Sequence, residues 1–458
     1  MTAWFKKRSG TVAGTAPRVL RTTVPDPFLN LQLDAAACHS FLRKLLAVFV
    51  VGGIQLSIGV AAEPATEEKE GQKARVLGEI EKDFIQIRNP QRLGVTRIPV
   101  ERIFLGNHYK PNIARLPNNE LRIIGLACEP HHDFYAKNEH PIFRSADGGR
   151  TWSKLAACEV GRWEPLLWTL KDGTLINTGG GPWTRDGGVH HIHWSEDGGR
   201  TWTSPRTAVT PTSDTWPLTR NVLEMADGSL LAGISEHVVN SKNFMWRSFD
   251  SGRTWSEKYP SHFEDLPENY PYMVIGEAYL WQARSGKIYT ILRVGMFNSW
   301  PIEGTTDPGT NDHSMRMVVY STTDIGHTWQ QVGDLGGYGE YFPSILRLHD
   351  GRLLLTFTMR EPFEPNVFPH GLRAVVGQET EDGFEFDLRH DRIVLDTKGP
   401  HGRNPVSWSG SIGGTVQVDD GTLVSVYAYG GYPDGNTSKN IDFDTEVIRW
   451  RLPEPEKG

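Results

Sequence analysis

The sequence predicts an all-β chain: a six-bladed β-propeller of four-stranded antiparallel sheets. Two interleaved repeats and a composition rich in turn-forming and ring-bearing residues predict it. The 458 residues include 48 Gly, 29 Pro, 15 Trp, 13 Tyr and 19 Phe. That mix suits many short strands joined by tight turns better than helices. The rings supply core area and exclude a disordered chain.

The plainer repeat reads Ser145-x-Asp147-x-Gly149-x-Thr151-Trp152. It returns as Ser195-x-Asp197-x-Gly199-x-Thr201-Trp202, as Ser248-x-Asp250-x-Gly252-x-Thr254-Trp255 and as Thr322-x-Asp324-x-Gly326-x-Thr328-Trp329, with a worn copy at Thr380–Gly383. A short carboxylate can accept the backbone N–H groups of its own turn. Gly supplies positive φ without steric cost, and the Trp opens the next strand with a ring to bury. Each copy is therefore read as a hairpin turn. The second repeat is an apolar run, a two-residue turn and another apolar run. Its turns are Asn118-Asn119, Asp172-Gly173, Asp227-Gly228, Ser285-Gly286, Asp350-Gly351 and Asp420-Gly421, a hairpin signal. The order strand, hairpin turn, strand, loop, strand, Asp turn, strand gives four strands per unit. The stretch Arg75–Val100 is expected to add a closing strand, and Thr445–Leu452 a late strand in the sixth unit.

Ahead of the repeats, residues 1–62 read as a signal-peptide region with an extended N-terminus. They hold seven Lys/Arg and two acids, and Arg43-Lys44 precedes the apolar run Leu45–Val60, which ends in Ala61-Ala62. A basic flank, a short apolar stretch and a small-residue exit describe export by a cleaved signal. Residues 63–75 read as a polar linker, and 76–458 as the propeller. The whole chain carries 48 basic and 55 acidic residues. Without the first 62 residues, 41 basic (48 − 7) face 53 acidic (55 − 2), a net charge of −12. That balance argues against a nucleic-acid partner. No stable membrane partner is expected beyond the signal segment. No cofactor motif and no zinc spacing is present; His131-His132 are adjacent rather than helically spaced. Of Cys38, Cys128 and Cys158, the last two survive cleavage, as a disulfide or as two thiols.

Both kinds of turn lie on one face of the ring, so residues about eight positions before or after a hairpin turn should crowd the opposite mouth. Around Ser285 these are Glu277 and Arg293. An Arg there offers a planar fork to a carboxylate. Before Asn118 stands Tyr109-Lys110-Pro111, and the following loop carries Asp133, flanked by His132. The fifth unit offers Glu340-Tyr341-Phe342 and Arg360, and the third Trp216, Arg220, Glu236 and His237. The second offers Glu164 and Trp183, and the sixth Arg403, Trp408 and Tyr427.

Four Asp turns, a fifth worn copy and six units resemble the sialidase (neuraminidase) superfamily, the BNR or Asp-box propellers, over residues 100–452. The resemblance implies that Arg293 binds a carboxylate beside Glu277, a base or electrostatic partner. It implies that Lys110 stands where the family usually has Arg in Tyr-Arg-Ile-Pro, and that Asp133 is the acid/base. Arg360 or Arg403 would supply a further guanidinium, with Trp216, Arg220 and His132 as other substrate contacts. The family's Tyr nucleophile, at the start of the last blade, is replaced by Trp408–Ile412; Tyr341, one unit earlier, is the candidate in its stead. The implied function is an exported exo-glycoside hydrolase acting on a terminal acidic sugar of a glycan. The alternative is a propeller that binds glycans or proteins without catalysis.

Overall fold

The computed structural model describes residues 76–454, apart from 128–138, 160–164, 181–189, 204–206, 209–219, 236–242, 256, 264–272, 298–311, 338, 360–370, 397–413 and 432–441. The signal region and linker expected at 1–75 lie outside the described residues. Among the described residues every regular element is a strand, and no helix is long and apolar enough to cross a membrane.

The strands form four-stranded antiparallel sheets in a propeller-like arrangement. One sheet runs Leu166–Thr169, Leu175–Gly180, His190–Ser195, Thr207–Ala208, each strand paired with the next. Another runs Leu223–Glu224, Leu230–Ser235, Asn243–Ser248, Glu257–Pro260. A third runs Met273–Gln282, Ile288–Phe297, Asp312–Thr322, Thr328–Gly336, with His262–Phe263 added in parallel at its outer edge. The remaining strands are linked through shared pairing. Glu340–Arg347, Arg352–Met359, Gly371–Glu379 and Phe384–Glu385 make one meander. Thr415–Gln417, Leu423–Gly431 and Asp442–Trp450 make another.

The long strand Arg97–Arg115 joins two neighbours. Its residues 100–107 pair with the late strand Asp442–Trp450, and 108–115 pair with Leu121–Ala127. The first described strand, Ile80–Arg88, lies between it and Arg392–Val394. The early chain thus supplies a closing strand, and the late strand expected at Thr445–Leu452 is Asp442–Trp450.

The core is a series of seams between consecutive sheets. Ile176 and Ile192 of one sheet pack on Leu230, Ala232 and Trp246 of the next. Leu231 and Met245 in turn pack on Leu280, Leu292, Val318 and Trp329. A strand buried on both faces reads as a continuous apolar run instead of an alternating one, as Leu353-Leu354-Leu355 does, all with no exposed surface. The first strand of each sheet is innermost. Ile113, Leu167, Leu223, Tyr279, Ile345 and Val416 line one cavity of about 630 Å³.

The Asp turns fasten these seams. Ser195 Oγ donates to Asp197 Oδ1 at 2.8 Å and accepts the N–H of Gly199 at 2.8 Å. The carboxylate accepts Thr201 N at 2.9 Å and Thr201 Oγ1 at 2.6 Å. The same bonds recur at Asp147, Asp250 and Asp324. Burial would raise the Asp197 carboxyl, but the bonds from Thr201 and Ser195 outweigh it and draw it down to about 2. The following Trp reaches back into the seam with the preceding sheet. Trp329 is fully buried against Phe263, ring centroids 5.7 Å apart, and its Nε1 donates to Ser261 Oγ at 2.7 Å.

Tyr427, expected at the mouth, is instead fully buried in a seam. Its hydroxyl donates to Glu446 and accepts from Arg102; a strand-centre position outweighs its distance from the turn. Cys158 is buried, and Cys128 lies outside the described residues. His108 packs on the edge of Phe143, centroids 5.1 Å apart, and desolvation, with Lys154 nearby, lowers its pKa to about 4.

Two outcomes test this account. Gly326 has φ +88°, and a Cβ there would meet Met245 Cγ at 2.9 Å; Gly228 has φ +80° with open space around it. Gly326→Ala is expected to cost about 2–4 kcal/mol in urea unfolding, through backbone strain plus overpacking, and Gly228→Ala about 1–2 through strain alone. Equal losses would mean that the turn does not press on the seam. His108 is less basic folded than unfolded, so between pH 6.5 and about 4 the unfolded chain binds the extra proton. Stability should fall with acid over that window, by up to about 1.4 kcal/mol per pH unit from this one group. His108→Phe should flatten the slope by that amount; an unchanged slope would contradict the assignment.

Candidate active site

The inner strands share a construction that can be read from their hairpin turns. Lys110, Glu277 and Phe342 each stand eight residues before their turn, at Asn118, Ser285 and Asp350. All three have positive φ, of 47°, 51° and 54°. In each case the pairing register shifts at that point: between Tyr109 and Asn112, Gly276 and Tyr279, and Tyr341 and Ser344. Each is a β-bulge, which bends the strand and re-aims a side chain. Left-handed backbone at a non-Gly residue is costly, and it persists where surrounding structure fixes it.

Two residues further on, the strands are fastened to one another. Asn112 Oδ1 accepts the N–H of Leu167 at 3.1 Å. Asn221 Oδ1 accepts Leu280 N at 2.7 Å, and its Nδ2 donates to Leu280 O at 2.6 Å. Tyr279 Oη accepts Ile345 N at 3.0 Å and donates to Ile345 O at 3.2 Å. In each case a residue six before its turn satisfies backbone of a residue five before the next sheet's turn. Both partners are buried, so these bonds replace water that cannot reach them.

The bulges and the clamps together bring five of the expected residues into one cluster. Glu277 bridges two guanidinium groups: Arg220 Nη2 donates to Oε1, and Arg293 Nη1 to Oε2 at 2.9 Å. The three side chains are 3–8% exposed. Arg293 Cζ lies 4.9 Å from the centre of the Tyr341 ring. Arg220 Cζ lies 4.0 Å, and Lys110 Nζ 5.2 Å, from the centre of Phe342. Burial pushes the Arg220 guanidinium down from its ordinary value, and Glu277 opposes that. Among the described residues, three cations and one carboxylate meet over two aromatic rings. Such a cluster can receive an anionic group through charge-assisted, planar hydrogen bonds.

Glu277, Lys110 and Tyr341 thus converge from three inner strands, with Arg293 from a second strand and Arg220 from the segment that leads into Leu223–Glu224. Asp133, His132, Trp216, Arg360 and Arg403 lie outside the described residues. Phe342, expected at the mouth with Glu340 and Tyr341, also joins the cluster, whereas the clamp residues Asn112, Asn221 and Tyr279 carry no expectation from the sequence. A polar residue recurring six before a hairpin turn, inside an apolar run, is the signal that could have found the clamps. Among the described residues no group of three or more His, Cys, Asp or Glu is arranged to hold a metal ion.

No protein-family model matches the chain, and no curated protein matches it. Several solved structures share its fold. An α-L-arabinanase from Penicillium chrysogenum, complexed with arabinobiose, aligns at TM-score 0.51 and 14% identity, over 82% of this chain and 99% of that one. The intramolecular trans-sialidase from Ruminococcus gnavus, in complex with oseltamivir carboxylate, aligns at TM-score 0.51 and 13% identity, over 77% and 96%. A sialidase from Streptococcus pneumoniae aligns at TM-score 0.51 and 12% identity, over 76% and 68%. These are members of the sialidase-like β-propeller superfamily, and the chain has their fold.

The clamp between neighbouring inner strands has a direct test. Asn221→Ala removes both bonds to Leu280 and leaves buried backbone groups without them. It should cost about 2–4 kcal/mol in urea unfolding. A loss under about 0.5 kcal/mol, the range of an ordinary surface change, would mean that Asn221 does not fasten the two sheets.

Proposed function

We propose that this chain, with the fold of the sialidase-like β-propellers, is an exported exo-glycoside hydrolase acting on a terminal acidic sugar. The ring is read as six-bladed, supported by the six hairpin repeats and by six inner strands lining one cavity. Export is supported by the basic flank, apolar run and small-residue exit that end at Ala62.

The observation that carries the reading is the Arg220–Glu277–Arg293 bridge with Lys110 beside it. A carboxylate held between two guanidinium groups fixes their planes before any ligand arrives, and such preorganisation is what electrostatic catalysis and tight orientation require. Arg293, Arg220 and Lys110 hold the anionic substituent. Glu277 acts as their electrostatic partner and takes up a proton where the reaction releases one. Tyr341 is the candidate nucleophile. Its oxygen would attack the anomeric carbon as the glycosidic bond breaks, with Asp133 giving its proton to the departing oxygen and later accepting one from water. Arg360 and Arg403 would extend the anion contacts, and Trp216 and His132 the sugar contacts.

A second reading, glycan binding without turnover, is favoured by one observation. Tyr341 is 2% exposed, with its ring under Arg293, and a nucleophile must be reachable. The two readings separate in one experiment. Release of 4-methylumbelliferone is measured from sialosides, uronosides and, as the neutral arm, arabinosides, with calorimetric binding of the free sugars alongside. Turnover of an acidic glycoside is expected, with the neutral one untouched. Arg293→Lys keeps the charge but not the fork, and should weaken kcat/KM for the acidic substrate by about tenfold or more. Binding without turnover on every substrate would select the second reading. Turnover of the arabinoside alone would remove the acidic-sugar assignment.

A further inference from the structure

Successive residues of a strand point to opposite faces. Tyr341 and Phe342 do not behave so. Their ring centres are 4.2 Å apart and inclined at 53°, and both meet the same cluster of cations. The cause is local. Phe342 has φ 54°, and the register slips between Tyr341 and Ser344, so the bulge turns the second ring back beside the first. Phe342 is 4% exposed and packs with Tyr341 and Leu166. For a bulky residue the left-handed region is strained; the same bulge recurs at Lys110 and Glu277, so the backbone sets the turn and the side chain at 342 decides what it meets.

The strain has a counterpart on the ring's surface. Two cations from two other sheets lie near this one ring, Arg220 at 4.0 Å and Lys110 at 5.2 Å from its centre. The face of an aromatic ring attracts cations, and more strongly where water is excluded. It also offers no carboxylate that would neutralise them. Glu277 already bridges Arg220 and Arg293, so a second acid at position 342 would cancel more of the local positive charge. An aromatic ring holds the cations in place and adds no charge of its own.

We infer that Phe342 is a positioning residue, held in a strained bulge so that its ring keeps Lys110 and Arg220 side by side for one anionic ligand. This rests on the acidic-sugar reading for the ligand, but the placement of Lys110 over the ring does not.

The test has two arms and two variants. Phe342→Leu keeps an apolar side chain without a π face; Phe342→Tyr keeps the face. In the first arm the rate at which Lys110 reacts with an amine-acylating reagent is followed by mass spectrometry. The ring stabilises the ammonium form, so Phe342→Leu should react several-fold faster than the parent, and Phe342→Tyr at the parent rate. In the second arm calorimetry compares N-acetylneuraminic acid and galacturonic acid with neutral galactose. Phe342→Leu should weaken the acidic sugars by about tenfold and leave galactose unchanged, with Phe342→Tyr restoring the difference. Equal Lys110 reactivity in all three proteins, or equal losses for acidic and neutral sugars, would overturn the inference. A parent protein that binds no acidic sugar would overturn the ligand assignment, and the first arm would still decide the role of Phe342.

Discussion

Adjacent sheets of a ring cannot share a backbone ladder at the axis, because their inner strands splay apart. The N–H and C=O groups on those inner edges are nevertheless buried and must find partners. In this protein side chains take that role. Asn112 reaches to Leu167, Asn221 to both backbone groups of Leu280, and Tyr279 to both of Ile345. An amide carries a donor and an acceptor, and so does a phenol hydroxyl; both can therefore stand in for the missing edge of a strand. Everything at the mouth depends on these clamps, since they fix the height of each inner strand relative to its neighbour.

The bulge follows two positions earlier, and the two features are linked. A strand tied sideways at Asn112 or Tyr279 cannot also keep a regular ladder with its own hairpin partner, and the register slips just beforehand. The slip places Lys110 and Glu277 in left-handed backbone. What would be a defect in an isolated sheet becomes the means of turning a charged side chain across the mouth. Strain of this kind stays only where neighbours over-determine it. Here the neighbours are cations and rings: Arg293 of the same sheet and Arg220 from elsewhere on Glu277, Phe342 under Lys110.

Much of this was legible in the sequence because turns are local. Asp-Gly and the Asp-turn motif carry their own geometry, so the strand order and the count from each turn could be read directly. The eight-residue offset from Ser285 picked out Glu277 and Arg293 for that reason. The offset misplaced Tyr427, since seven positions after Asp420 the strand is still inside a seam, and burial beside Arg102 and Glu446 claims the side chain. The offset also placed Phe342 at the mouth but did not give what its ring does: a Phe before Pro343 has the composition of core, and the positive φ is what turns the ring toward the cations. The pairing of Glu277 with Arg220 was not legible: each was named on its own, but they lie 57 positions apart and nothing local joins them.

The charge distribution constrains how such a site would work. Beyond residue 62 the chain is acidic, with 41 basic against 53 acidic residues, so its far field repels an anion. That field decays within about 8–10 Å at ordinary ionic strength, while the cluster of Lys110, Arg220, Arg293 and Glu277 is largely enclosed. Attraction therefore begins only at contact. Capture of an acidic group would depend on the desolvated fork of Arg220 and Arg293 and on the rings that hold it, instead of on steering from a distance. A mouth built this way would favour ligands that add close contacts to their charge, since charge alone would gain little on approach.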